Sequence, residues 1–289
     1  MTVPKTRKKK AKQPQTHLVN KEVADRNKKG ARKGGDTKVD TAVRMAQQPR
    51  GGKSESYIAP PNVTTSSIGE ILRGIREIPE QHQSRFGITP DGSSGVKVWM
   101  AGKVSLVESR CVAIVGARNV SAEGAARTRR LARELARAGV VVVSGLAKGV
   151  DTEALTAAID SGGSTIAVIG TPISKAYPAE NRRLQELIYR DHLLISQFPD
   201  GKKVFPSNFP ERNKLMAAIS DATVIVEATD ESGSLHQAVE CTRLNRWLFI
   251  AKSLVENPNL RWPQSFLHYP TTRILNATSD ILDVLPVRN

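Results

Sequence analysis

Residues 111–124 read CVAIVGARNVSAEG: an unbroken apolar run climbs to Gly116, an arginine follows two residues later, and helix-forming sequence begins after Ser121. A short, wholly apolar run that ends in a glycine turn fits a strand buried on both faces, because a half-exposed strand would alternate apolar with polar residues. What the turn after Gly116 holds is the functional question.

The same pattern recurs downstream. Further apolar runs are VVVVS (140–144), TIAVI (165–169), LLIS (193–196), TVIVE (223–227) and WLFIA (247–251), and helical spacing fills the intervals 122–138, 152–161, 179–190, 211–219 and 234–245. Strands that alternate with helices and are apolar throughout predict an α/β fold, a Rossmann-like doubly wound and mostly parallel sheet. In such sheets ligands bind beyond the carboxyl ends of the strands. The informative residues are therefore those that follow each run.

Those segments are GARNVSAEG, GLAKGVD, GTPISKAYPAEN, QFPDGKKVFPSNFPERNK and ATDESGSL. Small residues recur in them, interleaved with Arg118, Lys148, Lys175, Lys202, Lys203, Arg212 and Lys214. Amides at glycine turns and helix N-termini offer donors to an anion, and nearby cations add charge. A single glycine turn would mean little, but this series predicts a phosphate-binding rim. A dinucleotide is disfavoured: no second glycine follows Gly116 until Gly124, and the second strand ends in Ser144-Gly145, where an acid would be needed for the ribose. No G-x-x-x-x-G-K-[ST] string is present for nucleoside triphosphate hydrolysis. No cofactor is expected.

Composition narrows the class further. With 289 residues and 39% apolar content, the chain can bury the core of one ordinary domain plus extensions. Cys111 and Cys241 fit neither a disulfide framework nor a zinc spacing and read as reduced core thiols of a cytoplasmic protein. The five histidines, His236 near the rim among them, show no metal-ligand spacing. No nucleophile elbow of the G-x-S-x-G type occurs, so no hydrolase machinery is visible. A basic N-terminus without an apolar segment behind it, and no run of about 18 apolar residues, predict neither secretion nor membrane spanning.

The net charge of +15 is uneven: residues 1–53 hold 16 Lys and Arg against 4 Asp and Glu, and the rest of the chain 27 against 24. Residues 1–56 are read as a disordered basic tail, too poor in apolar residues to repay ordering. Both a nucleic-acid arm and a solvated extension remain open for it. Residues 57–110 form an N-terminal extension. In it Ile68, Ile71, Leu72, Ile75 and Ile78 predict a helix over 68–79, residues 80–95 a loop, and VKVWMAG (96–102) a strand. Residues 111–289 are the Rossmann-like domain.

The series VAIVGARNVSAEG, VVVVSGLAKGVDTEA, TIAVIGTPISKAYPAEN, ISQFPDG, FPERNKLMAAIS and VIVEATDESGSLHQA resembles the DprA/Smf family of DNA-processing proteins, motif after motif, over roughly residues 68–285. The resemblance implies a non-catalytic protein, a homodimer that binds single-stranded DNA in a basic pocket and helps load a RecA-type recombinase in natural transformation. It implies that Arg118, Lys148, Arg212, Asn213 and Lys214 contact DNA phosphates, with Lys175 as a further rim cation. Gly116, Ser144, Gly145 and Gly149 would let the strand approach the backbone. With aromatics at 4% of the chain, stacking is expected to be weak and affinity mainly electrostatic.

Each residue also has a structural reading. Arg212 and Asn213 could brace or cap a helix start, Lys148 could be a solvated turn lysine, and Ser232 and Ser234 helix caps. Asp151 is read as a cap that suits the helix dipole. Glu227 is open between holding Arg212 and meeting a base edge. Leu155, Gln237 and Lys252-Ser253 depart from the family pattern, where His, Thr and Pro-Gly are usual, and are expected near the rim. The 289 residues leave no room for the winged-helix domain of some members, so no duplex-binding module is expected. The alternative is a nucleotide-binding or nucleotide-hydrolysing Rossmann protein of the lysine-decarboxylase-like or nucleotide-sensing group, although their PGG-x-GT-x-x-E string is missing.

Overall fold

The computed structural model of the chain describes residues 56–89 and 94–288. The tail expectation for residues 1–55 lies outside them. Among the described residues nine strands form one sheet in the order β1-β2-β6-β5-β4-β3-β7-β8-β9. They are β1 (Thr64–Ser67), β2 (Lys97–Gly102), β3 (Cys111–Gly116), β4 (Val141–Ser144), β5 (Thr165–Ile169), β6 (Leu193–Ser196), β7 (Ala222–Glu227), β8 (Trp247–Ala251) and β9 (Thr272–Leu275). The helices are α1 (Ile68–Leu72), α2 (Glu80–Gln83), α3 (Ala122–Arg137), α4 (Val150–Asp160), α5 (Arg182–Asp191), α6 (Asn208–Ala218), α7 (Ser234–Arg243), α8 (Lys252–Val255), α9 (Trp262–Phe266) and α10 (Ser279–Leu282).

The seven strands β3 to β9 pair with one another in parallel, whereas β1–β2 and β2–β6 are antiparallel. This is the expected mixed, mostly parallel Rossmann-like α/β architecture. Along β3 the pleat alternates faces: Val112 and Ile114 pack under α3 and α4, while Cys111, Ala113 and Val115 pack with α6 and α7. Burial on both sides is the reason the strands read as continuous apolar runs. The Cys111 and Cys241 thiols are free and buried, and burial pushes both up to about 12.

The N-terminal extension departs from expectation. Helix α1 stops at Leu72, because Gly74 takes the left-handed region at φ 72° and turns the chain. Ile78 is still buried, but from the irregular segment after the turn, so its apolar spacing does not continue a helix. Residues 80–86, expected in a loop, form α2 and a 3-10 turn. The sequence reading missed β1 and β9. Helix α6 starts three residues before the expected Glu211, since Pro210 falls in its first turn, where a missing N–H costs nothing.

Asp221, at the foot of β7, ties extension and C-terminus to the sheet. Arg76 grips it through Nε at 3.0 Å and Nη2 at 2.8 Å, Arg288 reaches it at 2.8 Å, and Cys111 N–H donates to it at 2.8 Å. Arg76 also donates to the carbonyls of Val107 and Ser109, so its fully buried guanidinium is satisfied by several acceptors.

Candidate functional site

Strands β4, β5 and β6 extend the sheet on one side of β3, and β7, β8 and β9 on the other. The chain therefore reverses direction between β3 and β7, and a crevice opens beyond their carboxyl ends. A groove of about 1160 Å³ lies there. Its walls come from the turn after β3 (Gly116 to Asn119), the loop after β5 (Thr171 to Tyr177), the segment Val204 to Pro206 with the first half of α6, and the turn Thr229 to Ser234 with His236 at the start of α7.

The turn after β3 is built as a unit. Ser121 caps α3 by accepting from Gly124 N–H at 3.0 Å, and Glu227 accepts from Ser121 N–H at 2.9 Å and from its hydroxyl at 2.5 Å. Glu227 thus braces the turn, and its hydrogen bonds go to Ser121 and not to Arg212. Gly149, at φ 75°, packs so closely that a Cβ would overlap the carbonyls of Ala117 and Arg118. Its missing side chain serves a loop-to-loop contact within the protein. The result is an exposed Arg118 whose guanidinium lies 5.6 Å from the centre of the Phe209 ring.

The opposite wall is pinned from below. Tyr57 donates to Ile173 O at 3.0 Å, and Gln185 Nε2 donates to Tyr57 at 2.9 Å and to Lys175 O at 3.1 Å. Burial raises the Tyr57 phenol well above its usual range, so it stays a donor. With its backbone held, Lys175 keeps an exposed ammonium on the groove. Tyr177 is 50% exposed beside it, its ring 5.6 Å from Phe209, which itself sits over Gly170; Phe205, 55% exposed, also lines the groove. Sequence reasoning missed this cluster. The chain has few aromatics, but three of them line this groove, two of them in ring contact.

Arg212 forms the floor. It is 6% exposed, donates Nη1 to Val168 O at 2.7 Å, and its Nε has no partner among the described residues. Burial lowers its pKa and the Asp151 carboxylate opposes that shift; burial raises Asp151 in turn, with Arg212 opposing. Asp151 does not cap its own helix: it accepts from Gly145 N–H at 3.1 Å and Ala147 N–H at 3.3 Å, shaping the turn after β4. A Cβ on Gly145 would overlap the Arg212 guanidinium. Asn213 is inside α6, where it cannot cap, and donates to Gly233 O at 3.3 Å, steadying the N-terminus of α7. There Ser234 is the first helical residue, with a buried hydroxyl that has no partner among the described residues; Ser232 holds the preceding turn by accepting from Thr229 N–H at 2.8 Å.

Of the ten residues expected to contact DNA, the structure gathers Gly116, Arg118, Lys175, Arg212 and Asn213 on the groove. It does not bring in Lys148, which pairs with Glu180 at 2.6 Å, or Lys214, which pairs with Glu211 at 2.6 Å. Ser144 is buried and donates to Ile114 O at 2.7 Å. Gly145 and Gly149 lie behind the lining, each against protein atoms. Leu155 and Gln237 are fully buried, so these departures lie in the core and not on the rim. Gln237, its amide oriented by its neighbours, donates to Asn213 O at 2.8 Å and accepts from Thr223 Oγ1 at 3.1 Å. Lys252 opens α8 and pairs with Glu256 at 3.6 Å. Among the described residues no cluster of metal-ligating side chains occurs, and no helix is long and apolar enough to cross a membrane.

Residues 90–286 match the family model for DNA recombination-mediator protein A. DNA processing protein DprA of Streptococcus pneumoniae is 40% identical over 148 residues, 51% of each chain, so the match spans about half that relative's length. DprA of Bacillus subtilis is 31% identical over 219 residues, 75% of this chain and 73% of that one. Among solved structures, the S. pneumoniae DprA crystal structure superposes with a TM-score of 0.65 at 28% identity, covering 79% of this chain and 76% of that one. DNA processing protein A from Helicobacter pylori, studied for its single-stranded DNA binding mode, superposes with a TM-score of 0.61 at 25% identity, covering 77% and 94%.

Proposed function

The chain belongs to the DNA recombination-mediator protein A family, the DprA/Smf proteins, and on that premise we propose that its groove binds single-stranded DNA without cleaving it. The observation that carries the reading is the pairing of two chemistries around one groove. Arg118 and Lys175 are exposed cations, and Tyr177, Phe205 and Phe209 offer ring faces between and beside them. Stacked bases and a tracked phosphate backbone are what a flexible single strand presents together. A duplex hides its base faces.

The floor adds to this. The Arg212 Nε and the Ser234 hydroxyl, at the start of the ten-residue helix α7, are partnerless donors in two groove-lining residues, and a phosphate that reached either would supply an acceptor. We assign phosphate contacts to Arg118, Lys175 and Arg212, and give Asn213 a bracing role. The finer reading keeps the family's biology: a homodimer that protects incoming single strands and hands them to a RecA-type recombinase in the cytoplasm. Titrating a labelled oligothymidylate by fluorescence anisotropy tests the groove. Arg118→Ala and Lys175→Ala should each weaken binding and lower the salt slope by about 0.7. Unchanged affinity in both variants at low salt, or stabilisation by a nucleoside monophosphate but not by the oligonucleotide, would favour the small-nucleotide alternative.

A further inference from the structure

Helix α3 carries arginines at 127, 129, 130, 133 and 137. Its inner face, Gly124, Ala125, Thr128, Leu131, Ala132 and Leu135, is buried against the sheet. Arg129 turns sideways to Glu153 of α4 at 2.7 Å. The other four are exposed. At 3.6 residues per turn they fall within about a third of the helix circumference and make a ridge about 15 Å long, with a step of about 5 Å between charges.

This ridge is under-neutralised. Glu134 is the acid set among them; it takes Arg130 at 2.8 Å and the Thr278 hydroxyl as well. Arg127 lies 3.8 Å from Glu227, which is already engaged by Ser121. Arg133 and Arg137 form no ion pair among the described residues. Like charges three and four residues apart destabilise a helix by a few tenths of a kcal/mol each, and here three such pairs follow in succession. A polyanion laid along the ridge would relieve that repulsion.

The position matters as much as the charge. Helix α3 starts directly after the Gly116–Asn119 wall, and the Arg127–Glu227 contact places the upper end of the ridge beside the same turn. The geometry points to a second nucleic-acid surface: the strand seated in the groove continues over the Arg118 turn and along the α3 arginines, which read its phosphates without contacting bases. This rests on the groove reading, since the strand must leave the groove to reach the ridge.

The test uses the full chain and two labelled oligothymidylates, one of about 5 nucleotides and one of about 30. In the variant with Arg127, Arg130, Arg133 and Arg137 all changed to Gln, a good helix former, the long strand should bind about tenfold or more weakly at low salt. Its slope against log salt should fall by roughly 2 to 3, at about 0.7 per lost phosphate contact. The short strand should bind as before. The corresponding Arg→Lys variant should behave like the parent, and Arg133→Gln with Arg137→Gln, which breaks no ion pair, should show about half the slope change. An unaltered long-strand affinity would overturn the proposal. So would equal weakening of both strands, or an equal loss for polyglutamate, which would make the ridge a generic anion surface. Arg118→Ala separates the two readings: if it leaves the short strand unaffected, the groove assignment fails by itself.

Discussion

Removing the Tyr177 ring should separate stacking from charge in this groove. The ring is half exposed, leans on Phe209 at 5.6 Å and stands beside Lys175, so Tyr177→Ala deletes a base platform while leaving every cation in place. Loss of one base–aromatic stack is worth about 1–3 kcal/mol, or roughly 5- to 150-fold in Kd. The lower part of that range applies, because Phe205 and Phe209 remain as substitute faces. The diagnostic is the salt series: a plot of log K against log salt should shift down in parallel, since no phosphate contact is lost. Arg118→Ala should instead flatten the line by about 0.7. Anisotropy titrations of labelled oligothymidylate from low to moderate salt measure both. If Tyr177→Ala changes the slope as Arg118→Ala does, or leaves affinity unchanged at every salt, the rings do not stack bases and the reading of that wall is wrong.

Other substitutions probe the frame. Gly149→Ala would force a strained φ and press against the carbonyls of Ala117 and Arg118; it should cost more than about 1 kcal/mol in urea unfolding and weaken strand binding through the displaced Arg118. A wild-type stability would refute that packing argument. Arg76→Met leaves Asp221 with Arg288 but empties its best-aligned partner, and a loss of about 3 kcal/mol is expected, the low end for breaking a buried pair. Glu240 is held below the usual carboxylate range: burial raises it, but Arg85 at 2.7 Å and Arg243 at 2.9 Å outweigh burial. Because its folded pKa is depressed, its contribution is complete above the unfolded value near 4.3 and is lost as pH falls through the folded one. Unfolding free energies between pH 5 and pH 3 should therefore fall less steeply in Glu240→Gln; identical curves would count against the pair.

The central strands were legible because burial on both faces leaves one signature, an unbroken apolar run, and β3 to β8 carry it. The edges lack it. β1 is Thr-Thr-Ser-Ser and β9 is Thr-Arg-Ile-Leu, each paired on one side and largely exposed, so no periodicity marks them; backbone pairing with β2 and β8 alone makes them strands. The apolar spacing from Ile68 to Ile78 misled for a related reason. Burial of Ile78 is a tertiary fact, and a turn through Gly74 achieves it as well as a helix would.

At the site the glycine turns and cations were readable, but which cations line the groove was not. Lys148 is neutralised by a residue 32 positions away, a distance that only folding sets. The fate of Lys214 was legible in principle, since Glu211 precedes it by one helical turn. Arg212 also carried a signal: Leu215 and Met216, three and four residues on, put it on the buried face of α6. That placement changes its role. A solvated arginine would be one more surface charge among many, screened within about 10 Å at ordinary salt. Buried beside the Asp151 carboxylate, which partly offsets its charge, with Nε unmet and the Gly145 turn against it, Arg212 is a cation under the groove that water screens poorly. Under the proposed binding mode, a phosphate that reached this guanidinium would supply the acceptor that Nε lacks in the free protein, so part of its desolvation cost would be recovered on binding.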